Sequence, residues 1–423
     1  MTILILFGSF ILLMLLGLPI GIALGSASIL TILSLPFLSL EFFTLGLISG
    51  LNSFTLLAVI LFTLAGNLMS QGGISDRLLK VAYAFFGNTK GGLGTVTIIA
   101  CLFFAAISGT GSATVAAIGL AMIPAMVKNG YDKPYAGAMV ATAGGLGVMI
   151  PPSVVMIVYA VTAGVSVTSM FIAGIVPGLV VAAILIIYNL FQSKRFDSKK
   201  QHFDTSWEAK LKAINDAKLS LLMPILVLGG IYSGVVTPTE SAAVAAVFGF
   251  VLSVFVYKEL SISLVPKIIL ESALLVSSVL IIVGASVAFG RIMALENVPT
   301  IIANFVINLT ENKILILLSI NLLLLIVGTF LETLAAIVIL TPILLPVVVQ
   351  LNVDPVHFGI VMIVNLAIGF VTPPLGANLF MAAQVGNIKY EHLSKAVIPW
   401  IIAMLFALML ITFIPTISLL FLS

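Results

Sequence analysis

The 423 residues are 61% hydrophobic and only 8% charged, with mean hydropathy +1.31 and formal net charge +3. A soluble domain carries about 25% charged residues, so this composition excludes an ordinary soluble protein, and the small positive balance points to no nucleic-acid partner. Cys101 is the single cysteine, which excludes an intrachain disulfide, and it reads as a small buried hydrophobe. Apolar runs of the length that spans a bilayer recur throughout, without the alternation of a membrane barrel. The fold class is an all-α polytopic membrane protein.

Residues 1–20 are apolar with no basic residue ahead of them. A signal peptide opens on positive charge and closes on a small-residue cleavage site, so this segment reads as a retained first helix. Residues 1–51 read as two membrane segments, with Glu41 at an interface, and residues 54–69 as another. Asp76, Arg77 and Lys80 are interleaved with Leu78, Leu79, Val81 and Phe85, the mixture of an interfacial amphipathic turn.

Residues 91–127 hold no charge and break at Ser108-Gly109-Thr110-Gly111-Ser112. The arms on each side are short for full spans, so the pattern predicts a re-entrant helical hairpin over residues 92–127, its base marked by Lys90, Lys128 and Lys133. Residues 134–193 are again uncharged and break at 144–152, ending in Pro151-Pro152. The one truly polar stretch follows, with Lys194, Arg195, Lys199, Lys200, Lys210, Lys212 and Lys218, and the positive-inside rule places it in the cytoplasm. Trp207, Ala209, Leu211, Ile214 and Leu219 leave an apolar stripe among those bases, which predicts a helix lying on the inner leaflet.

Residues 219–257 read as two spans joined through 233–240, and residues 262–287 as a further span with Glu271 near its start. Residues 313–351 repeat the hairpin pattern with a tip at Gly328-Thr329-Phe330-Leu331-Glu332-Thr333, and a second break at 369–374 ends in Pro373-Pro374. The base of this hairpin, flanked by Glu311, Lys313 and Asp354, is not net positive, whereas the first base is. Loop charge therefore puts the first hairpin on the cytoplasmic side and the second outside. Opposite-facing hairpins in matching positions mean inverted repeats. The predicted organisation is scaffold helices over residues 1–50, a first inverted repeat over 51–190, a basic linker over 191–218, scaffold helices over 219–270 and a second inverted repeat over 271–423.

Two matching breaks in lipid-grade sequence survive only where the freed backbone lines a cavity or is buried in protein, and paired breaks point to a transporter's binding site. A hard cation such as Na⁺ is satisfied by uncharged oxygens. Ser108, Thr110 and Ser112 face carbonyls freed near Gly147, Ile150 and Pro152, while Gly328 and Thr329 face Gly369, Thr372 and Leu375. Proline lacks an N–H, so it frees a carbonyl one turn back. Close helix packing by small residues stands as the alternative.

Charge near apolar runs is the sharper signal, since a charge at the bilayer centre costs at least ~2.5 kcal/mol. Arg291 suits a substrate carboxylate through its planar fork, or it snorkels beside Glu296. Glu332 at the second tip either meets a cation, a proton or a substrate hydroxyl, or sits in a structural ion pair. Glu240, after Thr237-Pro238-Thr239, caps a helix start. His202, His357 and His392 are far apart and form no ligand spacing. No phosphate-cradling Gly-x-x-x-x-Gly-Lys occurs, and Ser108 and Ser112 have no partner histidine at membrane depth, so no enzyme is expected.

Ser-Gly-Thr-Gly-Ser-Ala-Thr-Val-Ala-Ala-Ile-Gly at residues 108–119, Ile-Pro-Pro-Ser at 150–153, Gly-Val-Val-Thr-Pro-Thr-Glu-Ser-Ala-Ala-Val-Ala-Ala at 234–246 and Phe-Val-Thr-Pro-Pro-Leu-Gly-Ala-Asn-Leu-Phe at 370–380 are specific in this order. With them the chain resembles, over nearly its whole length, the large membrane subunit of tripartite ATP-independent periplasmic (TRAP) transporters. The resemblance implies a multi-pass protein of the bacterial inner membrane that imports a carboxylate-bearing small molecule, coupled to Na⁺ at two or more sites, by an elevator mechanism. It implies a small four-helix membrane subunit, expected as a separate chain, and a periplasmic substrate-binding protein as partners. It assigns sodium to Ser108, Ser112, Gly147, Ile150 and Pro152, and to Gly328, Gly369, Thr372 and Leu375. It makes Arg291, Thr110, Glu332 and Asn378 candidates for substrate binding. Arg291 resembles the arginine of sialic-acid members, which favours sialic acid over a C4-dicarboxylate. A passive carboxylate channel is the alternative from another class.

Overall fold

Helices occupy the apolar runs; the hairpin tips fall at glycine and the broken helices at Pro-Pro, while single prolines such as Pro177 are carried inside helices. The computed structural model describes residues 2–89, 91–193, 203–310 and 312–422. Lys90, Lys194, Arg195, Lys199, Lys200, His202 and Glu311 lie outside the described residues. Every regular element among the described residues is helical.

The chain opens with α1 (Thr2–Leu15), α2 (Ile20–Leu33) and α3 (Leu40–Leu51). Residues 1–51 thus form three helices, not two segments: Gly17 turns the chain at φ +83° ahead of Pro19, and Pro36 interrupts it again. α3 meets α4 (Leu56–Gln71) at a 52° bend. α5 (Ile74–Phe86) is the amphipathic helix, burying Leu78, Leu79 and Val81 and turning Asp76 and Lys80 outward.

The first hairpin is α6 (Gly92–Ser108) and α7 (Gly111–Lys128). α8 (Lys133–Gly144), α9 (Leu146–Met149) and α10 (Val154–Ala163) form one broken helix, bent by 45°. After α11 (Val167–Gln192), α12 (Trp207–Tyr232) runs unbroken for 26 residues. The apolar stripe expected on the inner leaflet is therefore the start of a long helix. The Ser206 hydroxyl caps it by accepting from the Ala209 N–H at 3.1 Å, and no glycine or proline interrupts it before Pro224. α13 (Pro238–Val251) starts on a capping box in which Thr237 and Glu240 bond reciprocally, so Glu240 has the capping role. α14 (Val265–Leu295) is a single 31-residue helix that carries Arg291. Glu271 lies 3.9 Å from Lys267 on its exposed side. Then come α15 (Val298–Leu309), the second hairpin of α16 (Lys313–Phe330) and α17 (Thr333–Gln350), the second broken helix of α18 (Pro355–Gly369) and α19 (Ala377–Gly386), and finally α20 (Tyr390–Phe413) and α21 (Thr416–Leu419).

Among the described residues eight helices are long and apolar enough to cross a membrane, or up to ten when each bent pair counts as one span. Two contacts fix the direction of the repeats. The Tyr159 hydroxyl, near the end of α10, donates to the Pro355 carbonyl at the start of α18 (2.6 Å). Lys133, at the start of α8, donates to the Asn387 carbonyl just past α19 (3.0 Å). The first broken helix therefore begins at the base of hairpin 1 and ends at the base of hairpin 2, and the second runs the opposite way. The hairpins enter from opposite faces, as inverted repeats require. Their packing is reciprocal: α7 lies on α8 and α19, and α17 lies on α18 and α10.

A second layer surrounds this block. α14 packs on α2, α3 and α4, and α13 packs on α4. Small residues permit the approach, as is usual between membrane helices: a Cβ at Gly46 would stand 2.9 Å from Ala288 Cα. α5 is fastened at both ends. The Arg77 guanidinium lies 2.7 Å from Glu259 and 3.7 Å over the Tyr257 ring. At the other end the Asn88 amide donates to the Phe203 carbonyl (2.7 Å) and accepts from its N–H (3.0 Å), while Tyr83 stacks on the Phe203 ring.

Candidate functional site

The site is built where each hairpin tip meets a helix break. α6 ends because Gly109 takes φ +63°, a conformation open to glycine. Thr110 is extended and leads into α7. The Thr114 hydroxyl donates to the Thr110 carbonyl at 2.8 Å, and Ser108 Oγ lies 3.0 Å from Thr114 Oγ1. Either hydroxyl can donate in that pair, because Ser108 Oγ also lies 3.3 Å from the Thr110 carbonyl, and each arrangement leaves Ser108 a free lone pair. Opposite the tip, Pro151 and Pro152 offer no N–H to the carbonyls of Gly147 and Val148. The Ser153 hydroxyl takes up the Val148 carbonyl at 2.9 Å. The Gly147 carbonyl is left without a helical donor.

Tip and break touch. A Cβ at Gly147 would fall on the Thr110 carbonyl and come within 2.7 Å of Thr114 Oγ1, and one at Gly109 would stand 3.0 Å from the Pro152 carbonyl. α4 backs the tip, with Gly66 against the Ser108 carbonyl. Ile150 caps the end of α9 in extended conformation, and the Pro151–Pro152 bond is cis.

The second tip repeats the plan with bare backbone. A Cβ at Gly369 would collide with the Gly328 carbonyl, and one at Gly328 would stand 3.3 Å from Gly369 Cα. The Thr372 N–H donates to the Gly369 carbonyl (3.0 Å) and its hydroxyl to the Ile368 carbonyl (2.7 Å). The Thr329 hydroxyl donates to the Ile326 carbonyl. Pro373–Pro374 is also cis. The Tyr390 hydroxyl reaches the carbonyls of both Pro374 and Leu375 at 2.8 Å.

Each break juxtaposes opposite helix ends. α6, α9, α16 and α18 end there with freed carbonyls, and α7, α10, α17 and α19 begin there with freed N–H groups. Carbonyl ends favour a cation and N-termini an anion. Among the described residues no group of three His, Cys, Asp or Glu gathers.

The candidates divide accordingly. Ser108, Thr110, Gly147 and Pro152 come together at the first tip, with Ile150 in the break beside them, and Gly328 meets Gly369 at the second break, which continues through Thr372 and Leu375. Ser112 faces outward on α7 instead of joining Ser108. Thr114, which the sequence reading passed over, takes that place; its spacing of four from Thr110 was the available signal, because a helical hydroxyl reaches the carbonyl one turn back. Glu332 is an exposed side chain at the start of α17. Arg291 stands on α14, its guanidinium donating to Ser49 on α3 at 2.7 Å. Asn378, on α19, is wholly buried and donates to the Ala141 carbonyl at 3.1 Å. Also unforeseen is a buried chain of bonds through Asn365, Asn321 and Thr412, with His357 between Thr412 and Ser418, which ties α16, α18, α20 and α21 together.

Residues 7–417 match the family described as the tripartite ATP-independent periplasmic transporter, DctM component. The chain belongs to this family. It is 39% identical over 433 residues to the C4-dicarboxylate TRAP transporter large permease protein DctM of Rhodobacter capsulatus, covering 99% of this chain and 98% of that one. It is 48% identical over 417 residues to the isethionate TRAP transporter permease protein DctMQ of Oleidesulfovibrio alaskensis, covering 99% of this chain and 66% of that protein, so it spans slightly less than two thirds of that relative. The sialic acid TRAP transporter large permease protein SiaM of Vibrio cholerae is 35% identical over 408 residues, covering 96% of this chain and 94% of that one. Among solved structures, the Alcanivorax borkumensis YdaH transporter superposes with a TM-score of 0.66 at 15% identity, covering 95% of this chain and 96% of that one, a likeness of fold alone. The DctM family member is a transport protein and not an enzyme.

Proposed function

We propose that this DctM-family chain is the large permease of a Na⁺-coupled importer of a small organic anion in a bacterial inner membrane. The observation that carries the reading is the contact of each hairpin tip with a proline-broken helix, which gathers uncharged oxygens beside helix N-termini. The first cation is held around Ser108, the Thr110 carbonyl, Gly147, Ile150 and Pro152, with Thr114 in place of Ser112. The second is held by carbonyls of Gly328, Gly369 and Leu375 and by Thr372. The anionic group of the substrate sits at the N-terminal ends near Thr110, and Glu332 accepts from a substrate hydroxyl. The reciprocally packed block moves against the α2–α3–α14 layer as an elevator, and Arg291 on that layer meets the anion in one state only. A small membrane subunit and a periplasmic binding protein complete the system.

Isethionate or a C4-dicarboxylate is favoured over sialic acid. The relatives named for them are 48% and 39% identical, against 35% for the sialic acid protein, and Arg291, on which the sialic acid expectation rested, bonds to Ser49. The test is uptake by proteoliposomes containing this chain and its small-subunit and binding-protein partners, offered isethionate, succinate and sialic acid in turn. Concentrative uptake of one of the first two is expected. Uptake of sialic acid alone would restore the earlier assignment, and conductance through this chain by itself would replace the importer with a channel.

A further inference from the structure

The Asn378 side chain reaches from the second broken helix into the first tip. It lies on α19, is 0% exposed, and packs on glycine backbone: a Cβ at Gly111 would stand 3.2 Å from both of its amide atoms, and one at Gly144 would stand 3.5 Å from Nδ2. Its orientation is fixed by chemistry, because Nδ2 donates to the Ala141 carbonyl, an obligate acceptor. Oδ1 is consequently the atom turned away from Ala141. It is buried and has no hydrogen-bond partner among the described residues. A buried carbonyl oxygen without a donor costs about 1–3 kcal/mol, and such an oxygen calls for a ligand. The backbone N–H of Asn378 donates to the Phe370 carbonyl at 3.0 Å, so the same residue is seated on the second break.

We propose that Asn378 Oδ1 is an oxygen ligand of the first cation site, supplied by the second repeat. The inference rests on the Na⁺ reading above. The cation then bridges α19 and the tip of hairpin 1, so its arrival joins the two repeats and not only the tip and break of one. A neutral amide oxygen suits Na⁺, which the surrounding hydroxyls and carbonyls also suit, and adds no charge to a buried place.

The test is Na⁺ titration of purified protein by thermal shift, with uptake by the assembled transporter as second readout, for Asn378→Ala and Asn378→Asp. In Asn378→Ala the half-saturating Na⁺ concentration rises roughly tenfold, the scale on which a site loses affinity with a supporting group, and the Na⁺/Li⁺ preference changes. Asn378→Asp keeps an oxygen in place and binds Na⁺ at least as tightly as the wild type. A purely structural role predicts no advantage for aspartate, since it loses the amide donor to Ala141 and should be as damaging as alanine. Unchanged half-saturation and Na⁺/Li⁺ preference in both variants would overturn the proposal and leave Oδ1 to a water molecule. An Asn378→Asp protein that binds no better than Asn378→Ala would also overturn it. A wild type with no response to Na⁺ would instead remove the reading beneath it.

Discussion

Glycine at 147 and 369 is demanded by distance, because at both positions a methyl group would occupy the place of a carbonyl on the facing tip. Gly147→Ala and Gly369→Ala should therefore each cut uptake by more than ~10-fold, as overpacking of about 1–3 kcal/mol forces tip and break apart. Gly290→Ala, where nothing lies within 4 Å of the added carbon, is the control and should transport normally in the same assay. Thr372→Val keeps the side-chain shape and loses the hydroxyl that donates to Ile368. The fold should lose only about 1 kcal/mol, while the Na⁺ concentration for half-maximal uptake rises; an unchanged Na⁺ requirement would leave Thr372 a packing residue. Arg291→Ala should abolish uptake with assembly intact, measured as transport per purified complex, and retained uptake would reduce Arg291 to its bond with Ser49.

At the scale of elements, α5 is a strut between the layers. Arg77 combines an ion pair with a stacked contact on Tyr257, and only the planar guanidinium makes both. Arg77→Lys should thus lower the melting temperature almost as far as Arg77→Ala; the half-exposed pair is worth at most about 1 kcal/mol and the ring contact a similar amount. Full rescue by lysine would show that charge alone matters there. Both hairpins were legible in the sequence because glycine or proline interrupts long apolar runs at Ser108–Ser112, 144–152, Gly328–Thr333 and 369–374. Helix lengths were less so. α12 absorbs basic residues that composition alone assigns to a surface helix, because lysine is a good helix former and its charge decides solvent contact, not where a helix stops. The outward turn of Ser112 and the inward turn of Thr114 depend on the rotation of α7 about its axis. Its weakly patterned Ala-Thr-Val-Ala-Ala run does not specify that rotation. The Asn321–Asn365–Thr412–His357–Ser418 chain pairs residues up to 91 positions apart, which no local periodicity carries.

At the centre of the molecule two hairpin-and-broken-helix units run in opposite directions and pack reciprocally, with a second layer of helices against them. Family membership accounts for the plan, and the contact of each tip with its break gathers the oxygens on which the proposed ion sites rest. In the function proposed above, cation and anion share one compact block, and each is expected to bind at full strength only with the other. The most direct test is uptake by proteoliposomes with the complete set of partners, comparing an inward Na⁺ gradient with an equal gradient of K⁺ or choline. Accumulation only under the Na⁺ gradient, abolished by dissipating it, is what the account predicts. Equal accumulation under all three gradients would contradict it.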